Sequence, residues 1–222
     1  MTPRTRLTPE QRREQILAAA GRLAAHTDLE RVPTAAVAAE AGVSEGLLFH
    51  YFPTRRALQL AVVERSADEL IEAMRGVPEG ESPQRLLAAL GTYVDHVEAR
   101  SQSWRVLLRG SDDPEVAATL RRVDDVSIEL LLAGFHTDAE HAPAPLMLAV
   151  RGWLAFEKET CAAWLDDPSR VGREVLIASL AGALLGALQG VAGMDGASAA
   201  LLAPVLPPAP PSPPSPPAAP AG

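Results

Sequence analysis

Residues 34–55 read Thr-Ala-Ala-Val-Ala-Ala-Glu-Ala-Gly-Val-Ser-Glu-Gly-Leu-Leu-Phe-His-Tyr-Phe-Pro-Thr-Arg, and this stretch decides the fold. Thr34 is a favourable N-cap for a short helix of Ala and Val, and Gly42 follows where a left-handed residue is needed. Ser44 can cap a second short helix directly afterwards. Two helices joined by such a turn form the unit that places its second helix in the DNA major groove. The stretch therefore predicts a helix-turn-helix.

Residues 34–43 alone would also fit any two short alanine-rich helices joined by glycine. The longer string from Ala41 to Leu58 reads Ala-Gly-Val-Ser-Glu-Gly-Leu-Leu-Phe-His-Tyr-Phe-Pro-Thr-Arg-Arg-Ala-Leu. It resembles the TetR family of bacterial transcriptional regulators, whose pattern is Gly-Val-Ser, two or three variable positions, Leu-Tyr-x-x-Phe, and then a Lys and a Leu that open the next helix. The resemblance spans about residues 8–64.

Charge is distributed unevenly along the chain. The formal net charge is −8, which by itself argues against binding to nucleic acid. Residues 1–65 nevertheless contain nine arginines and seven acidic residues, whereas the rest of the chain contains eleven basic and twenty-one acidic residues. The two parts therefore carry formal charges of +2 and −10. Only the N-terminal part is expected to face DNA phosphates.

Helix starts recur along the chain. Thr8 is followed by Pro, Glu and Gln, which is a capping box with Pro at the first helical position. A capping residue also precedes Pro at Ser82, Asp113 and Asp167. Together with an amphipathic run after Thr54, these signals predict helices over 57–74, 83–100, 114–134, 146–164 and 168–191, with a short segment at 103–110. No stretch shows sustained period-two alternation, so no sheet is expected.

The predicted fold is all-α. An N-terminal three-helix helix-turn-helix DNA-binding domain occupies residues 1–53, and a larger helical domain for ligand binding, regulation and dimerisation occupies residues 54–203. Residues 204–222 hold ten of the twenty prolines and are expected to form a disordered Pro-rich tail. A recognition ligand for an aromatic groove is the alternative interpretation of this tail.

Side chains on the first turn of a recognition helix point into the groove. Ser44, Glu45, Gly46 and Leu47 are therefore candidates for contacts with base edges. The resemblance implies base or groove contacts at Glu45, Gly46, Leu47 and His50, and phosphate contacts at Thr34, Phe49, Tyr51 and Arg55.

The chain departs from the family pattern at three of these positions. Phe49 replaces the common Tyr and lacks its hydroxyl, so we expect it in the core. Glu45 is acidic where a basic or neutral residue is often found. Arg55 replaces the common Lys, which keeps the charge and changes the donor geometry.

One apolar segment suggests how the chain dimerises. Val175 to Met194 contains no charged residue, and Gly182, Gly186 and Gly190 recur every four residues on one helical face. The resemblance implies a homodimer formed through the last two long helices, and small residues allow such helices to approach closely. A transmembrane span has the same signature. Because the segment contains Ser179 and Gln189, we favour a dimer helix and expect no membrane insertion.

The family's regulatory domain binds a small molecule, and the aromatic residues of this part of the chain are the candidates for its pocket. Ordinary core packing is the alternative role for each of them. The candidate ligand-binding residues, with the polar groups that could orient a ligand, are Tyr93, His96, Trp104, Arg105, Phe135, Trp153, Phe156, Glu157 and Thr160.

These observations predict a ligand-responsive transcriptional regulator. The expected partners are double-stranded operator DNA, a small-molecule effector of unknown identity and a second copy of the chain. The preferred form is a repressor that a small hydrophobic or amphipathic molecule releases from a palindromic operator. The alternative is a helical ligand-binding or interaction protein with a degenerate DNA head. No metal-spaced cluster, phosphate loop or nucleophile motif is found, so neither an enzyme nor a cofactor is expected.

Overall fold

The computed structural model describes residues 7–25, 27, 29–78, 82–100, 104 and 113–206. Within these ranges every long regular element is an α-helix and no strand occurs, which confirms the all-α prediction. The helices are α1 (Pro9–Ala24), α2 (Thr34–Glu40), α3 (Glu45–Tyr51), α4 (Arg55–Arg75), α5 (Ser82–Ala99), α6 (Pro114–Ala133), α7 (Ala144–Asp166), α8 (Arg173–Met194) and α9 (Gly196–Leu202).

The head of the molecule consists of α1, α2, α3 and the beginning of α4. Its helix ends follow the predicted capping residues. Thr8 and Gln11 form a reciprocal capping box at the start of α1, and Thr54 accepts a hydrogen bond from the backbone N–H of Ala57. Gly42 has a φ of 64°, a left-handed conformation that glycine adopts without steric cost, and so it turns the chain from α2 into α3.

Helix α4 belongs to two hydrophobic cores. Leu58 and Val62 pack with the head, whereas Leu70 and Ile71 pack with the helices that follow. The predicted boundary after residue 53 therefore separates elements that share one core, because the first half of α4 is a wall of the head. Because α4 is one continuous helix that packs in both cores, it fixes the position of the head relative to the second core.

The second core is formed by the C-terminal half of α4 with α5 to α9. Helix α7 packs along α8, and the indole N–H of Trp153 donates to the carbonyl of Leu180 at 2.9 Å. This bond satisfies a buried indole and fixes the register of the two helices. The second core forms the domain that the sequence predicts to be regulatory, and this domain is called the regulatory domain below.

Two predicted boundaries differ from the structure. Helix α8 begins at Arg173 instead of residue 168, because Asp167 accepts hydrogen bonds from the backbone and hydroxyl of Ser169 in a tight turn. Val205 and Leu206 pack against the second core, so the tail starts later than residue 204. Residues 207–222, Arg105 and, apart from Trp104, the predicted 103–110 segment lie outside the described residues.

Candidate nucleic-acid interface and regulatory cavity

Helix α3 presents one face to the head core and the other to solvent. The hydroxyl of Ser44 accepts the backbone N–H of Leu47 at 3.2 Å, which confirms Ser44 as the N-cap. Leu48 is fully buried and anchors the helix, whereas Leu47 is 36% exposed. The other exposed residues of this face are Glu45, Gly46, Phe49 and His50. The structure therefore brings the predicted base-contacting residues together on one accessible surface.

The prediction that Phe49 is a core residue is wrong. Its side chain is 41% exposed. Leu48 and, four residues later, Phe52 occupy the buried side of the helix, and Phe49 lies about 100° away from Leu48 around the axis. An exposed aromatic ring at this position extends the apolar part of the surface around Leu47. His50 and Tyr51 lie beside it, with their rings edge to face at 5.3 Å.

Thr34 does not cap α2. Pro33 is the N-cap residue and makes no side-chain cap bond, and Thr34 is the first residue of the helix. Its hydroxyl instead donates to the carboxylate of Glu45 at 3.1 Å. This bond joins the N-termini of α2 and α3 and orients Glu45, while the other lone pairs of the carboxylate can still accept from a base.

Sequence patterns missed Gln15, which fixes the turn between the two short helices. Its side-chain amide donates to the carbonyl of Ala41 at 2.9 Å, and its amide oxygen accepts from Arg12 at 2.7 Å. Arg55 donates to the carbonyl of Glu30 and so also has a contact within the head. A polar residue beside the apolar stripe of a helix is normally predicted to face solvent, so the sequence gives no signal for the role of Gln15.

A small cavity lies inside the regulatory domain. Its volume of about 20 Å³ is enough for roughly one water molecule. Three predicted ligand-binding residues, Tyr93, Trp104 and Glu157, line it together. The polar lining that the sequence analysis missed is Asp124, Ser127 and Lys158.

Lys158 could have been found from the sequence, because it is the only lysine of the chain. Its ammonium pairs with Asp124 at 2.7 Å. Burial raises the pKa of Glu157 to about 8. The negative charge of Asp124 also raises this pKa, whereas the positive charge of Lys158 lowers it. Burial also raises the pKa of the Cys161 thiol to about 12, so this cysteine is not a reactive thiolate.

The other described ligand-binding candidates do not line this cavity. Phe156 was expected in the pocket, but its side chain is 45% exposed. Trp153 and Glu157 are four residues apart and share the buried face, and Phe156 lies off that face. Phe135 and Trp153 pack in the core, and Thr160 is half-buried elsewhere.

His96 links the cavity to α4. Its Nδ1 lies 3.2 Å from a guanidinium nitrogen of Arg100, which has no acceptor, so Nδ1 accepts and Nε2 carries the proton. Nε2 then donates to the hydroxyl of Ser66 at 3.1 Å, and the Trp104 indole N–H donates to the same oxygen at 3.1 Å. Burial, with the charge of Arg100, lowers the pKa of His96 to about 4, so the ring is neutral.

A chain of ion pairs continues from this cluster to the head. Arg100, the residue that follows α5, pairs with Glu69 on α4. Glu69 also pairs with Arg65 at 2.8 Å, and Arg65 reaches Glu14 on α1. Polar contacts therefore run from the cavity wall at Trp104, through α5 and α4, to the first helix of the head.

The second accessible surface is an apolar face on α7 and α8. Gly182, Gly186 and Gly190 are exposed, and a Cβ atom added at any of them would meet no atom within 4 Å. Leu185, which precedes Gly186 on α8, is also exposed, and α7 exposes Phe156. By length and composition α8 could also cross a membrane, and 28% of its most apolar stretch is buried in the structure.

Comparison with known proteins follows the same division of the chain. Residues 16–62 match the family model described as bacterial regulatory proteins, tetR family. Residues 83–185 match the model described as tetracyclin repressor-like, C-terminal domain. These matches cover 47 and 103 residues, together 150 of the 222 residues.

Solved structures and relatives agree. A tetR-family transcriptional regulator from Streptomyces coelicolor superposes with a TM-score of 0.83 at 28% identity, covering 90% of each chain. The HTH-type transcriptional activator FasR of Mycolicibacterium smegmatis is 26% identical over 174 residues, covering 76% of this chain and 79% of FasR. The regulator BetI of Escherichia coli is 26% identical over 126 residues, covering 55% of this chain and 65% of BetI.

Proposed function

The chain belongs to the TetR family of bacterial transcriptional regulators and is a ligand-responsive DNA-binding regulator, and from this premise we propose that it is a cytoplasmic homodimeric repressor. In this proposal it binds a palindromic operator and is released by a small hydrophobic or amphipathic molecule. The observation that carries the proposal is the exposed face of α3, which is held on a buried anchor at Leu48. A rigid helix with an accessible first turn suits insertion into the major groove.

The apolar face of α7 and α8 supports the dimeric part of the proposal. Leu185 is an exposed apolar side chain in the helix that carries the row of glycines, and Phe156 is exposed on the neighbouring α7. Burial of this face between two copies would remove apolar area from water and allow close helix contact. The two α3 helices would then read half-sites about 34 Å apart.

Selection of bound sequences from a random DNA pool, followed by a salt titration on the selected sequence, tests this function. We expect enrichment of an inverted repeat and an affinity that falls steeply with salt, because bound phosphates release counterions. A protein that is dimeric and folded but enriches no sequence would instead support a degenerate DNA head.

The direction of regulation requires a separate measurement, since FasR is named an activator. A reporter gene placed behind the selected operator should be silent when the protein is present and active when it is absent. Higher expression in the presence of the protein would overturn the assignment as a repressor.

Glu45→Ala should change sequence preference instead of general affinity. The carboxylate is exposed and is oriented by Thr34, so it can accept a hydrogen bond from cytosine. We expect the preference at one or two base pairs to change by about 1–3 kcal/mol in competition binding assays. Tyr51→Phe is the contrast, because loss of a phosphate contact should weaken binding to selected and scrambled DNA alike. Equal loss on both DNAs for Glu45→Ala would exclude a base-reading role.

Trp104→Phe should separate effector binding from the response to it. The ring still fills the cavity wall, but the hydrogen bond to Ser66 is lost. We expect the effector still to bind, because an aromatic ring remains in the cavity wall, whereas the effector-induced change in operator affinity should fall by about 0.5–2 kcal/mol. Operator titrations with and without effector measure this difference. An unchanged response would show that the signal takes another route.

A further inference from the structure

Two buried polar groups in the regulatory cavity have no hydrogen-bond partner within the part of the chain that the structure describes. Glu157 is 6% exposed and Tyr93 is 5% exposed. Neither the carboxyl group nor the phenol forms a hydrogen bond or ion pair with any residue that the structure describes. Unsatisfied polar groups in a protein interior destabilise the fold and are uncommon. A ligand that enters this cavity would satisfy both groups.

The charges around the cavity favour a positive partner. The groups that face Glu157 are Tyr93 on α5, Asp124 on α6, and Lys158 and Cys161 on α7. Lys158 and Asp124 neutralise each other in an ion pair. The ionised form of Glu157 therefore has no counter-ion among the described residues, so a cationic ligand would stabilise the carboxylate, whereas an anionic ligand would keep it protonated.

The apolar wall of the cavity favours the same class of ligand. Trp104 and Tyr93 present aromatic rings, which attract cations. The space suits a group of about the size of a water molecule, such as a primary ammonium. A larger head group would have to displace the surrounding side chains.

We infer that this cavity binds the ammonium group of an amphipathic primary amine, with Glu157 as its counter-ion and Tyr93 and Trp104 around it. The inference rests on the proposed function only where it identifies the bound amine as the effector. Because the pKa of Glu157 is about 8, this group is mostly protonated at neutral pH in the empty cavity. A bound ammonium lowers that pKa, so Glu157 loses its proton to the solvent as the amine binds.

Titration calorimetry with octylamine, 1-octanol and octanoate tests the inference, because the three probes share a chain length and differ in the head group. We expect octylamine to bind on the order of tenfold more tightly than either other probe. Its binding should release close to one proton, which appears when the heat is compared between buffers of different ionisation enthalpy. Equal or tighter binding of octanoate, amine binding without proton release, or no binding of any probe would overturn the inference.

Glu157→Gln provides the matched variant, since the amide has the shape of the protonated acid. We expect it to lose most of the octylamine affinity and all of the proton release, and to retain its affinity for octanol. Glu159→Gln, two residues along and exposed, should bind octylamine as the unsubstituted protein does. An unchanged proton release in Glu157→Gln would contradict the assignment. Thermal unfolding of both variants checks that they fold.

These titrations contain no DNA, so their outcome does not depend on whether the proposed function is correct. Operator binding without amine binding would overturn the amine inference alone. Amine binding without any selected operator would overturn the DNA-binding proposal alone.

Discussion

Replacing Gly182 and Gly186 together by leucine should produce a folded monomer that binds its operator about 10²–10⁴ times more weakly than the dimer. In one copy the new side chains enter open space, and leucine favours a helix more than glycine does. In a dimer the same side chains would separate the two α8 helices. Operator affinity then falls because each head binds its half-site without the other.

Light scattering and operator titration measure these two effects. Ala118→Leu, which adds the same bulk at an exposed position of α6, is the control and should remain dimeric. A dimeric double variant with full operator affinity would show that the interface lies elsewhere. Extraction of the unsubstituted protein only with detergent would instead favour the membrane interpretation of α8.

Leu48→Ala should destabilise the head by about 2–5 kcal/mol, because it creates a cavity beneath the recognition helix at a fully buried position. The two hydrophobic cores are separate clusters that share only α4. Hydrogen exchange should therefore accelerate in α1, α2 and α3 and remain unchanged in α7 and α8. Operator binding should fall with the folded fraction of the head.

Leu47→Ala is the matched control, since the neighbouring side chain lies on the solvent face of the same helix. Its stability should stay within about 0.5 kcal/mol of the unsubstituted protein. Its DNA preference should nevertheless change where the leucine packs on a thymine methyl. Equal destabilisation by the two substitutions, or accelerated exchange in α7 and α8 for Leu48→Ala, would contradict the two-core description.

Local chemistry explains which parts of the fold were predictable. Thr8, Ser44, Thr54 and Asp113 each cap the helix that the sequence assigned to them, because a cap depends on residues within one turn. Gly42 is predictable for the same reason. The start of α8 was not, since the turn from Asp167 depends on a side-chain hydrogen bond that competes with helix initiation.

Side-chain surroundings were harder to predict than helices. The sequence singled out Tyr93, Trp104 and Glu157, and these three share the cavity. It also placed Phe156 in the pocket and Phe49 in the core, where hydrophobicity alone would put them. Both are exposed, because the direction of a side chain depends on which face of its helix the neighbouring helices cover.

By itself the sequence determined the helical class, most of the capped helix ends and the family, since these follow from contacts close in the chain and from one contiguous motif. The tertiary structure determined the contacts between residues that are distant in the chain. It joined Thr34 to Glu45, made α4 common to both cores, paired Lys158 with Asp124 and buried Glu157 with no counter-ion among the described residues. Burial and charge pairing depend on helix packing, and no local pattern of residues encodes that packing.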